Sequence, residues 1–188
     1  MRHGATEWSE SGRHTGRTDL PLTEKGRHQA DRLPPLLATL SLGALPVVFT
    51  SPLERARETA RRAVPGVEAT VVDALMEYDY GDYEGLTSAE IDERHPGWEL
   101  FKDGCPGGET LHQVVSRCDA FIAKLERTAA GRTAIVFTHG HLSRVLTTRL
   151  VGLPPESAAV LQNDAASIGI VSDKRGDYVI TGWNIRAH

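Results

Sequence analysis

Twice in this chain a short apolar, β-branched run breaks straight into a polar turn and a helix-like stretch. Pro46-Val-Val-Phe-Thr-Ser51 leads into residues 53–63, and Arg132-Thr-Ala-Ile-Val-Phe-Thr138 into residues 140–150. Continuous Val/Ile/Phe runs of this length suit strands covered on both faces, and strands alternating with helices build parallel sheets. Ala69-Thr-Val-Val-Asp73 is a weaker third run. Ser167-Ile-Gly-Ile-Val-Ser172 and Tyr178-Val-Ile-Thr-Gly-Trp183 flank the polar turn Asp173-Lys-Arg-Gly-Asp177, which predicts a terminal hairpin. The expected fold is α/β: a three-layer α/β/α sandwich with a mostly parallel central sheet and helices on both faces, formed by residues 1–188 as one domain.

The remaining gaps read as helices. Thr23 is placed to cap one that runs to about Thr39, with a break or kink at Pro34 and Pro35. Leu111, Val114, Val115, Cys118, Phe121, Ile122 and Leu125 form an apolar stripe at helical period over 110–129. Apolar residues make up 40% of the chain and charged residues 24%, which is globular rather than disordered. The net charge of −4 gives no general attraction to nucleic acid or an anionic membrane, so an anion site must come from local cations. No apolar run approaches the ~20 residues of a membrane span. Cys105 and Cys118 lack metal-ligand partners at usable spacing, so no zinc is expected; two free thiols fit a reducing cytoplasm.

Both strand-to-helix junctions carry polar residues: Thr50-Ser51-Pro52-Leu53-Glu54-Arg55 and Thr138-His139-Gly140-His141. Ligands of open α/β sheets sit at the carboxyl ends of strands, where helix N-termini offer free N–H groups to an oxyanion. Arg55 would add a fork of donors and His139 another donor. Arg2-His3-Gly4, by itself a three-residue coincidence, supplies a third element.

Taken together, the blocks closely resemble the histidine phosphatase superfamily, the phosphoglycerate mutase-like proteins, and in particular its bacterial broad-specificity acid phosphatases. Arg2-His3-Gly4-Ala5-Thr6-Glu7-Trp8, Arg13-His14-Thr15-Gly16 and Pro21-Leu22-Thr23-Glu24-Lys25-Gly26 resemble the opening of that family. Residues 50–60 resemble its second block, 77–86 its third, Gly107-Gly108-Glu109-Thr110 with Arg117 its fourth, and Phe137-Thr138-His139-Gly140-His141 its fifth, all in family order. The resemblance implies that His3 is the nucleophile that becomes phosphorylated. It implies that Arg2, Arg55 and His139 hold the phosphoryl group and that Glu77 gives and takes the proton; an acid of this kind needs desolvation, which the neighbouring Tyr78, Tyr80 and Tyr83 would supply. Arg13, Thr15, Gly16, Ser9, Tyr80 and Gly140 are the implied substrate-side residues. No metal or cofactor is implied.

A covalent route divides hydrolysis into two displacements at phosphorus. His3 must be neutral to attack, and nearby guanidinium charges would hold it so; its other ring N–H would donate to a backbone carbonyl near Gly4. The mutases that this chain resembles carry a long insertion after the third block, with basic residues for a substrate carboxylate. Here Gly107 follows Glu77 by 30 positions, the intervening stretch is acidic on balance, and Ser88 stands where such mutases place a Lys. Hydrolysis of small phosphorylated metabolites is therefore expected over a cofactor-dependent mutase. A catalytically dead binding or regulatory member is the third reading, opposed by the presence of all five central residues. Ser9 stands where Asn is frequent in the family, and Thr138 where Ser is. The resemblance allows a homodimer through a sheet edge. A strand is also expected ahead of Arg2 to anchor His3, and with it residues upstream of Met1.

Overall fold

The computed structural model describes residues 1–40, 42–43 and 46–187. Three parallel strands, β1 (Val47–Thr50), β2 (Thr70–Val71) and β3 (Ala134–Phe137), lie in the order β2-β1-β3, with Val48 opposite Ile135 and Thr50 opposite Phe137. Two longer strands, β4 (Ile168–Lys174) and β5 (Asp177–Ile185), form the antiparallel hairpin. They extend into the stretch expected as a polar turn, because Asp173–Lys174 and Asp177–Tyr178 still pair, leaving Arg175 and Gly176 at the tip with positive φ.

Residues 1–3 run beside the end of β3 in the manner of a further strand. Thr138 N donates to Met1 O at 2.9 Å and His3 N to Thr138 O at 3.0 Å. On the other side Arg2 N donates to Ser167 O and Ala166 N to His3 O. The amino group of Met1 donates to Val136 O at 2.7 Å. Alongside, a trough of about 900 Å³ opens between β3 and β4, lined by Ile135, Leu146, Leu150, Ile168 and Ile170 among others.

Strand side chains alternate between two faces, and each face meets a different set of helices. Val48, Ile135 and Phe137 pack with Leu33, Leu37, Ala60 and Ala63. Those come from α3 (Leu33–Ala38) and α4 (Glu54–Ala63), which α2 (Glu24–Asp31) flanks. On the opposite face Val47, Phe49, Ala134 and Val136 pack with Val114, Cys118, Phe121, Leu142, Val145 and Leu146. These belong to α7 (Leu111–Thr128) and α8 (Gly140–Leu150). Phe49 meets Phe121 edge-on at 5.5 Å. The three layers are those expected, with a mostly parallel sheet between them.

The helix from Thr23 does begin at that cap, whose hydroxyl accepts from Gly26 N. It breaks at Arg32, two residues ahead of the expected proline, because Pro34 and Pro35 fit the first turn of α3, where a missing N–H costs nothing. Three short helices were not expected: α1 (Glu7–Glu10), α5 (Ser88–Arg94) and α6 (Leu100–Asp103). Their lengths give no room for an apolar stripe.

Candidate active site

Five side chains from four separate stretches of the chain meet at the carboxyl end of the sheet. His3 arrives on the strand-like residues 1–3, His139 on the residue after Thr138, and Arg55 on the first turn of α4. All three are buried. The rings of His3 and His139 stand edge to face with centroids 5.1 Å apart. The loop carrying His3 is pressed against α2 so closely that a Cβ on Gly4 would lie 2.4 Å from Gly26 O.

Hydrogen bonds settle the state of both imidazoles. His3 Nδ1 lies 2.7 Å from Gly4 O, so the proton sits on Nδ1 and the Nε2 lone pair is free. Burial, and then the charges of Arg55 and Arg2, push the His3 pKa well below the ordinary value. The guanidinium charges expected from the sequence act in this direction, and burial adds the larger contribution. His139 accepts from Arg55 Nε at Nδ1 (3.2 Å), so its Nε2–H donates to Ser51 Oγ (2.8 Å). Burial and Arg55 hold it neutral as well.

Arg55 departs from expectation. Its Nη1 donates to Thr18 O and its Nη2 to Thr15 O and Gly16 O, at 2.8 to 3.1 Å. With Nε on His139, four of its five N–H groups are taken by the protein. In this structure it supplies charge and fixes the 15–18 loop rather than presenting a fork. Arg2 is nearly the reverse: Nη1 donates to Asn163 O at 2.6 Å, while its buried Nε has no partner.

Glu77 is buried and held by backbone. Oε1 accepts from Tyr78 N and Leu142 N, and Oε2 from His141 N at 3.0 Å. The first turn of α8, expected to serve an oxyanion, thus serves this carboxylate. From behind, Arg117 ties the backbone down, donating to the carbonyls of Ala74, Met76 and Glu77 while paired with Glu109.

The residues expected on the substrate side divide. Thr15 and Gly16 border the site through their carbonyls on Arg55, and Gly16 N and Thr18 N are fixed by Glu84. A Cβ on Gly140 would stand 3.5 Å from Arg2 Cζ and 3.6 Å from Glu77 Oε2, so Gly140 faces both. Tyr80 donates its phenol to His141 Nδ1 at 2.5 Å, because burial drives the phenol pKa far up and the imidazole pKa down. His14 stacks on His141 at 5.9 Å and meets Trp98 edge-on. Arg13 is turned to Gly85 O and Glu90. The Ser9 hydroxyl accepts from Thr6 N and donates to Thr6 O, closing the cap of α1. Four contributors went unrecognised in the sequence: Ser51, Thr59 (accepting from Gly4 N), Asn163 and Arg144. Ser51 and Thr59 sat inside a recognised block, Asn163 and Arg144 outside all of them. Among the described residues there is no group of three or more His, Cys, Asp or Glu suited to a metal, and no helix long and apolar enough to cross a membrane.

The chain is similar to known proteins over nearly its whole length. The family model for the histidine phosphatase superfamily (branch 1) matches residues 1–186. An acid phosphatase of Mycobacterium tuberculosis is 41% identical over 177 residues, covering 94% of this chain and 86% of its own. The solved structure of an open reading frame from the same organism superposes with a TM-score of 0.94 at 39% identity, over 100% of this chain and 96% of that one. A mycobacterial glucosyl-3-phosphoglycerate phosphatase, solved with VO3, gives a TM-score of 0.87 at 29% identity over 97% and 96%. With one family model spanning nearly its whole length and a relative above 40% identity, this chain belongs to the histidine phosphatase superfamily, branch 1.

Proposed function

We propose that this protein hydrolyses phosphate monoesters of small metabolites through a phosphohistidine on His3. The observation that carries this is the His3 ring itself: neutral, pinned through Nδ1 by Gly4 O, and flanked by Arg2 and Arg55. Its Nε2 attacks phosphorus, and the bond from phosphorus to the ester oxygen breaks. Arg2, whose Nε is unspent, takes an equatorial oxygen, and the Arg55 charge offsets what develops there. Glu77, held rigidly at the first turn of α8, gives a proton to the departing oxygen. It then takes one from water as that water displaces His3 from phosphorus, releasing phosphate and restoring the neutral ring. Ser51, by fixing His139, and Thr59, by fixing Gly4, act as positioning residues.

The names of the relatives, acid phosphatase and glucosyl-3-phosphoglycerate phosphatase, support hydrolysis over a mutase. The intact set of five residues weighs against an inactive regulatory member. The family match over 1–186 supports one domain spanning 1–188. The buried free thiols of Cys105 and Cys118, raised by burial to about 12, support a cytoplasmic setting. The partners in this reading are a phosphorylated metabolite and a second copy joined at a sheet edge, with no nucleic acid and no membrane; sedimentation would test the dimer.

The direct test is phosphate release from p-nitrophenyl phosphate. His3→Ala is expected to lose more than about 10³-fold in kcat. A rapid quench with labelled ester should trap one acid-labile phosphate on the wild-type chain and none on the variant. Equal rates for the two proteins would sink the assignment.

A further inference from the structure

Arginines that are not exposed nearly all have an occupation here. Arg13, Arg17, Arg27, Arg62, Arg117 and Arg149 each pair with a carboxylate, Arg55 is bound to three carbonyls and His139, and Arg2 reaches Asn163 O. Arg144 differs. It is half-buried, its Nε is fully shielded from water, and it donates to nothing among the described residues. A guanidinium left this way costs free energy unless something fills it. Among the described residues, the two arginines with a buried, unpartnered Nε are Arg2 and Arg144.

Their geometry joins them. Arg144 stands four residues after Gly140 on α8, hence on the same helix face. Gly140 presents that face to Arg2 Cζ and Glu77 Oε2. Long helical side chains lean toward the helix N-terminus, which aims Arg144 across Gly140 at the site. Its charge acts on Glu77, Arg2 and Tyr80. Gly140 leaves this path open, since it carries no Cβ. The other groups on this wall bring no competing cation. His141 and His14 are driven toward the neutral form by burial, while Arg13 and Arg17 are ion-paired.

We propose that Arg144 receives a second anionic group of the substrate, so that the preferred substrates are phosphomonoesters bearing a further carboxylate or phosphate on the leaving side. This rests on the phosphatase reading above, in which the first phosphate lies between His3 and Arg2. The alternative is that Arg144 only balances the charge of Glu77. That role would affect every substrate equally.

The test uses ω-phosphooxy carboxylates of two, three and four carbons, the α,ω-alkane bisphosphates of the same lengths, and the matching ω-hydroxyalkyl phosphates. Wild type should prefer one length of the dianionic series by about tenfold in kcat/KM, the scale of a charge-assisted hydrogen bond at a half-exposed site. Whether the carboxylates or the bisphosphates show it identifies the group. Arg144→Gln should collapse that preference to within about twofold, mainly through KM, with a smaller loss on the hydroxyalkyl phosphates and on p-nitrophenyl phosphate; Arg144→Lys should restore part of it. No wild-type preference at any length overturns the proposal. So does an equal loss on all substrates with a shifted pH profile, which is the mark of charge balance alone. Calorimetry of the same ligands on His3→Ala reads the preference without turnover, so a protein that hydrolyses nothing would defeat the phosphatase reading while leaving this one testable.

Discussion

The carboxyl end of the parallel sheet and the terminal hairpin use their residues in opposite ways. At the first, polar groups are buried: Thr50, Ser51, Arg55, Glu77, Thr138 and His139 all lie out of water. In the hairpin, apolar residues such as Val171, Val179 and Ile180 remain half exposed. Hydropathy alone would have exchanged them. The buried polar residues are tolerated because nearly every donor and acceptor is matched, and each lost match would expose a desolvation cost. The hairpin is held by its ladder and by packing on one side, so single side chains matter less there.

Removing the most connected buried group should break the contrast most severely. Arg55→Leu would leave three carbonyls and His139 Nδ1 without donors. It is expected to destabilise the fold by at least about 3 kcal/mol and to lower kcat by more than about 10²-fold. Urea titration with parallel assays checks this, and a variant as stable as wild type would refute the contrast itself.

Acid should separate the two regions more gently. His3, His14, His139 and His141 have folded-state pKa values lowered by burial. A lowered value means the unfolded chain binds protons first. The stability these rings contribute is present above about pH 6.5 and is lost as pH falls below it toward their folded values, by up to about 1.4 kcal/mol per pH unit for each ring. Activity should nonetheless persist below pH 6.5 until unfolding begins, since His3 stays neutral. A rate that falls off with a midpoint at 6.5 in a still-folded protein would contradict the environment described for His3.

The smallest effect belongs to the hairpin. Thr181→Ala removes an exposed hydroxyl pair with Ser172 and should change stability by no more than about 0.5 kcal/mol, with no effect on kcat. A loss of several kcal/mol would mean that the hairpin is as tightly coupled as the site.

How far the sequence could be read follows from the same physics. The stripe of Leu111 to Leu125 and the runs into Ser51 and Thr138 located α7, β1 and β3 because apolar period is a local property. α5 carries only Ile91 as a buried residue, and its sole announcement was the Thr87–Glu90 capping box. The five central residues stood out through their order along the chain. What each one does with its hydrogens did not: the neutral state of His139, the engagement of Arg55 with Thr15 to Thr18, and the use of Ser9 as a cap all depend on neighbours distant in sequence. Arg144 carried no local signal, since its character is the lack of a partner.

The placement of residues 1–3 has a consequence for how the molecule comes into being. Met1 bonds to Val136 across 135 positions, Arg2 to Asn163 across 161, and His3 O accepts from Ala166 N. His3 precedes the segments that seat it by more than 130 positions, so its surroundings form only after residues 136–167 have followed it out of the ribosome. Loop closure over such separations is slow compared with helix formation, so the pocket is among the last parts to assemble. A nascent chain therefore carries His3 long before it carries the segments that bury and orient it, and the site waits on their arrival.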